Sequence, residues 1–137
     1  MDVRGEVGRL GGRLYGQEKL ARLARYLARR GVALKVGDEF VPTGTYGAFK
    51  YVGAGSPAIL LRSNPTQREV WHELGHYLQY RKIGPEAYRA LPRNLDENTP
   101  EQFVFDLIEN SPKRWQSLTF EEQQHMIEYI ERIGGFR

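Results

Sequence analysis

The chain has 137 residues and 15.8 kDa, with 40% hydrophobic and 27% charged positions, a size suited to one domain (1–137) around a single modest core. Aromatic residues at 12% and seven scattered prolines exclude a disordered or collagen-like chain, and 20 Lys and Arg against 17 Asp and Glu leave a net charge of +3, which permits nucleic-acid contact without demanding it. The absence of cysteine excludes a disulfide framework, a thiolate zinc finger and a Cys nucleophile, so any metal must be held by histidines and carboxylates. No window approaches 18 uninterrupted apolar residues and the first residues lack the apolar stretch of a secretory signal, so the expectation is a soluble, cytoplasmic chain with no membrane segment, unless it is cut from a larger exported parent.

In chain order, the glycine-rich residues 1–16 read as a loosely ordered lead-in. From Gln17 to Arg30, Leu20, Leu23, Ala24 and Leu27 recur at helical spacing, with Arg22, Arg25, Arg29 and Arg30 largely on the opposite side and Gly31 as the stop. That basic side reads as a solvated face in preference to a nucleic-acid surface. Three β-rich runs follow at 32–36, 46–52 and 57–62; Ala58-Ile59-Leu60-Leu61, apolar on both faces, is expected at the centre and 46–51 at an edge. After Ser63-Asn64-Pro65 the pattern is helical. Thr66-Gln67-Arg68-Glu69 reads as a capping box opening a helix to about Arg81, with further helices at 85–91, at 100–109 with Thr99 as N-cap, and at 120–133 before Gly134-Gly135.

The helix over 66–81 contains His72-Glu73-Leu74-Gly75-His76. At 3.6 residues per turn His72 and His76 stand one above the other, about 6 Å apart along the axis, so two imidazoles can converge on one ion. Glu73 lies beside that face, where its carboxylate can reach a water in the ion's open position without binding the ion. Zinc would lower the pKa of that water toward about 7, and a carboxylate in hydrogen-bonding range can take its proton during attack on an amide. Two of the chain's three histidines stand in this one turn, which sets the arrangement apart from a scatter of packing histidines.

A third protein ligand is needed. The extended pattern with a third histidine fails, since Gln79 and Lys82 occupy the positions where Gly and His are required. His125 is the remaining histidine; Glu97, Glu101 and Asp106 are the carboxylates far enough along the chain to return. Glu101 is favoured, because if Pro100 opens a helix then Glu101 sits in its first turn, where the helix dipole stabilises an ionised carboxylate. Glu97 and Asp106 stay open as alternatives. His125 itself reads as an ordinary surface or half-buried residue. Tyr51, Tyr80 and Tyr129 are each candidates to stabilise an oxyanion, although a core or rim aromatic is the commoner role. Trp71, Phe103 and Phe105 read as core, and Gly75 as a site of close approach by another backbone.

The stretch Asn64–Tyr80, followed by Gly84-Pro-Glu-Ala-Tyr88, Glu101-Gln-Phe-Val-Phe-Asp106, Trp115, Leu118-Thr-Phe-Glu-Glu122 and Tyr129-Ile-Glu-Arg-Ile-Gly-Gly135, resembles the zincin-like metallopeptidase toxin domains found at the C-termini of bacterial polymorphic toxins and in related phage proteins. The separated blocks agree in order over roughly residues 45–135. The resemblance implies an α+β, minimal zincin-like fold: a small three-stranded, mainly antiparallel sheet, an active-site helix and a helical C-terminal half. It further implies His72, His76 and Glu101 as zinc ligands, Glu73 as catalytic base, and a protein or peptide substrate held along the edge strand 46–52. The expected function is a zinc-dependent endopeptidase, either a toxin effector or a phage-encoded protease. The alternative is a catalytically weak zincin-fold binding or structural module, such as a phage particle component.

Overall fold

In the computed structural model, which describes residues 8–51 and 56–133, Leu20, Leu23 and Leu27 lie on the buried side of helix α1 (Gln17–Ala28). The helix stops earlier than the arginine run suggests. Gly31 takes a left-handed turn (φ +75°), and Val32 N–H reaches back to the Leu27 carbonyl at 3.0 Å, closing the last turn. The chain then enters strand β1 (Ala33–Val36), passes a short 3-10 turn at Asp38–Phe40, and continues through β2 (Gly47–Lys50) and β3 (Ala58–Leu61).

The class is α+β, as expected, and the sheet order is β1-β3-β2. β3 is central, with Ile59 and Leu61 fully buried, and β2 is an edge, both as its residue pattern indicates. The pairing is mixed: β2 runs antiparallel to β3, whereas β1 runs parallel to it. The expected mainly antiparallel sheet differs from this because the run that is apolar on both faces takes the middle position, between strands that precede it in the chain. Composition identifies such a strand without fixing the direction of its neighbours. Val52, the end of the expected edge strand, lies outside the described residues, as do Gly134 and Gly135.

The described residues fold as two compact units, one of 8–9, 13–51 and 56–74, the other of 10–12 and 75–133; helix α2 (Gln67–Ile83) runs through the change from one to the other. In the first unit, α1 packs on β1, and the segment before α1 is tied to the start of α2: Tyr15 N–H donates to the Pro65 carbonyl (2.9 Å) and Gln67 N–H to the Arg13 carbonyl (2.8 Å). The capping box at that start is present. Glu69 N–H donates to Thr66 Oγ1 (3.2 Å) and Thr66 N–H to Glu69 Oε1 (2.8 Å), both residues being buried. Such a cap is worth about 1 kcal/mol and fixes where the helical register begins, and so the direction in which the histidines point.

The second unit holds the rest of α2 with α3 (Pro85–Arg89), α4 (Thr99–Glu109), α5 (Pro112–Ser117) and α6 (Phe120–Arg132). Its core gathers Val104, Phe105, Ile108, Met126 and Ile130. Thr99 is the first helical residue of α4 instead of its cap, and Asn98 precedes it without a side-chain cap bond. Helix α5 is additional to the elements expected; Ser111, which accepts from Arg114 N–H, and Pro112 behind it are its start signal. Helix α6 opens on a second capping box, Thr119 with Glu122. No helix among the described residues is long and apolar enough to cross a membrane.

Gly75 is a point of close approach, but by side chains and not by a backbone: a Cβ there would lie 3.0 Å from Val104 Cγ2 and 3.4 Å from Leu107 Cδ2 of α4. Bare helix surface at 75 is what lets α4 seat against α2. Gly75→Val should therefore overpack this contact and destabilise the chain by about 1–3 kcal/mol in urea unfolding, despite the gain over glycine in helix propensity. Unchanged stability would show that α4 is not held at this point.

Candidate metal centre

One turn of α2 carries His72 and His76, and the first turn of α4 carries Glu101. One ligand atom from each of these three residues lies within 4.8 Å of the others, and His76 Nε2 stands 3.1 Å from Glu101 Oε2. Two ligands bonded at about 2.0–2.2 Å around a tetrahedral cation are separated by roughly 3.3–3.5 Å, so the spacing fits a shared ion. The chemistry of the set fits as well: two imidazoles and a carboxylate are borderline donors suited to a divalent transition metal. His76 is buried and the other two are half-buried, so the group is sheltered while still reachable.

Each of the two metal-capable residues in the second unit, His76 and Glu101, has a tyrosine against it. The Tyr88 hydroxyl lies 3.4 Å from His76 Nδ1. Were Nε2, which faces Glu101, to bind a metal, Nδ1 would carry the proton and donate to the Tyr88 oxygen, fixing both tautomer and ring orientation. Tyr88 is itself held: it is 3% exposed, Arg93 Nη2 donates to its carbonyl (2.8 Å) while the guanidinium lies 4.9 Å from its ring centre, and Tyr80 meets it edge-on at 5.7 Å. On the α4 side, Tyr129 donates from its hydroxyl to Glu101 Oε1 (3.3 Å), leaving Oε2 to face His76. The two carboxylate oxygens thus have separate tasks.

Tyr88 is a member of the site that the sequence reading does not include. Its signal is the Gly84-Pro85 restart, which ends α2 and turns the chain into α3; twelve residues separate it from His76, and no fixed spacing connects them. Of the three oxyanion candidates, Tyr129 bonds to the metal-capable group, Tyr51 stacks on Phe49, and Tyr80 packs on Tyr88. His125 stacks on Tyr129 at 6.4 Å between ring centres and does not join the group. Glu97 and Asp106 are exposed and stand outside it, accepting from Thr99 Oγ1 (3.4 Å) and Gln102 Nε2 (2.9 Å) respectively.

Glu73 is 8% exposed, and its carboxylate lies over strand β2 at Gly47. Phe105 is core, as expected, packed on Trp115 at 6.2 Å. Phe103 is half-buried, and so is Trp71, which instead of filling the core walls a surface groove of about 390 Å³ with Tyr15, Lys19, Arg22, Leu23 and Tyr26. Its position one residue before His72 turns it about 100° away from the ligand face.

The Tyr88 contact gives a direct expectation. Tyr88→Phe should weaken divalent-metal binding by about 10–100-fold in a competitive titration while the chain stays folded, and unchanged affinity would mean that His76 is oriented without it.

A family model described as metallopeptidase toxin 4 matches residues 1–135. No curated protein and no solved structure matches the chain. The family match spans the metal-capable turn of α2, the α4 carboxylate and the tyrosines behind them, in agreement with the resemblance carried by the sequence blocks. The chain belongs to the metallopeptidase toxin 4 family.

Proposed function

We propose that this protein is a zinc-dependent endopeptidase that hydrolyses a peptide bond in a protein substrate and acts as a toxin effector. The observation that carries the reading is the convergence of His72, His76 and Glu101 on one point, with Glu73 on the adjoining face of the same helical turn. Among the described residues no fourth His, Cys, Asp or Glu joins the three. A three-ligand set leaves a coordination position for water and substrate, the arrangement of a catalytic site, whereas a structural site is closed by a fourth ligand.

Zinc bound by these residues would polarise the scissile carbonyl and bring the pKa of a water toward about 7. The remaining work falls to the chain. Glu73 takes the proton as the water oxygen bonds to the amide carbon, then delivers it to the nitrogen as the C–N bond breaks. The Tyr129 hydroxyl, already beside Glu101, would turn its single proton from Glu101 Oε1 to negative charge developing on the carbonyl oxygen. Strand β2 is the sheet's antiparallel edge, and an extended peptide pairing with its outer side would be held by backbone hydrogen bonds, independent of its side chains.

Glu73→Gln should retain stoichiometric zinc and lose about 10²–10⁴-fold in turnover of an unfolded protein such as casein. Glu101→Ala should instead weaken zinc binding itself; full occupancy in that variant would reassign the third ligand. Because an ion that binds only the folded chain stabilises it, chelation of the zinc-loaded protein should lower Tm as well as abolish hydrolysis. A Tm indifferent to chelator would contradict a zinc site at these residues.

A further inference from the structure

The pairing of β2 with β3 sets Gly47 opposite Leu61 and Phe49 opposite Ile59. Opposed residues share a sheet face, so Gly47 lies on the face that carries the two fully buried side chains of β3. Large side chains fill this face at Phe49, Ile59 and Leu61, and position 47 leaves it bare. Glycine is a poor strand residue, and Gly47 is not among the glycines with positive φ, so no turn or left-handed backbone calls for it.

The space it leaves is taken by Glu73. A Cβ at position 47 would stand 3.0 Å from Glu73 Oε2, 3.1 Å from Glu73 Cγ and 3.1 Å from the Leu60 carbonyl oxygen. Comfortable carbon contacts lie near 3.5–4.0 Å, so one neighbour would have to move. The Leu60 carbonyl is part of the backbone of the central strand, whereas Glu73 turns about three side-chain bonds. An added methyl therefore displaces the carboxylate.

We propose that Gly47 is a positioning residue for Glu73, its missing side chain forming the seat in which the carboxylate lies against the edge strand. The catalytic consequence rests on the reading of Glu73 as general base given above; the seat itself does not. The nearest atoms to that Cβ belong to Glu73 and Leu60 and not to His72 or His76, so disturbing the seat is expected to move the proposed base ahead of the proposed metal ligands. Contacts of 3.0–3.1 Å are relieved by a shift of a few tenths of an ångström; since about 1 Å of misplacement in a catalytic group costs on the order of 100-fold in rate, a loss of about 10-fold is expected here.

The test is a double-mutant cycle of Gly47→Ala with Glu73→Ala, read first by Tm and so independent of any substrate. With Glu73 present, Gly47→Ala should lower Tm by about 2–5 °C. In the Glu73→Ala background the same change should be neutral or raise Tm, because alanine is the better strand former once the carboxylate is gone. Equal losses in both backgrounds would assign the clash to the Leu60 carbonyl and overturn the proposal, as would no loss in either. If Gly47→Ala alone unfolds the chain outright, restored folding in the double variant supports the seat and failure of both variants overturns it. Activity is the second reading: Gly47→Ala should lower kcat on casein by about 10-fold with zinc Kd unchanged within about threefold, and an unaltered kcat or a lost zinc affinity would count against positioning. Hydrolysis by the wild-type chain that survives Glu73→Gln would sink the general-base reading, while the Tm cycle would still decide whether Gly47 seats the side chain.

Discussion

Two imidazoles and a carboxylate within 4.8 Å of one another, one of the rings buried, are an expensive arrangement for a folded chain, because desolvating an ionisable group is unfavourable unless an opposite charge or a full set of hydrogen bonds compensates. A divalent cation would supply that compensation to all three at once. The rest of the molecule is arranged around keeping them close. The Thr66–Glu69 capping box sets the register of α2, the bare surface at Gly75 admits Val104 and Leu107 of α4, and α4 in turn brings Glu101 to His76. The tyrosines then act on orientation, Tyr88 on the imidazole and Tyr129 on the carboxylate. In metal sites, ligating groups are commonly held in this way by partners that make no contact with the ion.

Glu73, the proposed base, is held differently from the proposed metal ligands. Glu73 is buried against the edge of the sheet within the first unit, whereas His76 and Glu101 take their supporting contacts from helices of the second. The proposed metal binding and proton transfer would thereby be supported by separate sets of residues, so that a substitution would disturb one without the other. Membership of the metallopeptidase toxin 4 family is consistent with this division, because a peptidase needs both functions and a structural metal site needs only the first.

Much of this is legible in the residues because it follows from local spacing. The His72–His76 pair comes from four-residue periodicity in a helix, the start of α2 from Thr66 and Glu69, and the central place of β3 from its unbroken apolar run. Glu101 ranks above Glu97 and Asp106 by its place in the first turn of α4, and the structure brings Glu101, and neither of the others, to the histidines. What escapes depends on packing between segments distant in sequence. Tyr88 reaches His76 only because Gly84 and Pro85 redirect the chain, the parallel pairing of β1 is invisible in its composition, and the neighbours of Gly75 and Gly47 can be named only once helices and strands are assembled. Trp71 reads as core because large aromatics usually are; it faces a groove because the neighbouring position points the ligand histidine the other way.

That His72, His76 and Glu101 together hold one metal ion is tested most directly by anomalous diffraction from crystals of the zinc-loaded protein, recorded on both sides of the zinc absorption edge. A single strong peak is expected at bonding distance, about 2.0–2.2 Å, from a nitrogen of each histidine and from an oxygen of Glu101. A peak elsewhere, or a fully loaded crystal in which Glu101 stands away from the ion, would contradict a shared site.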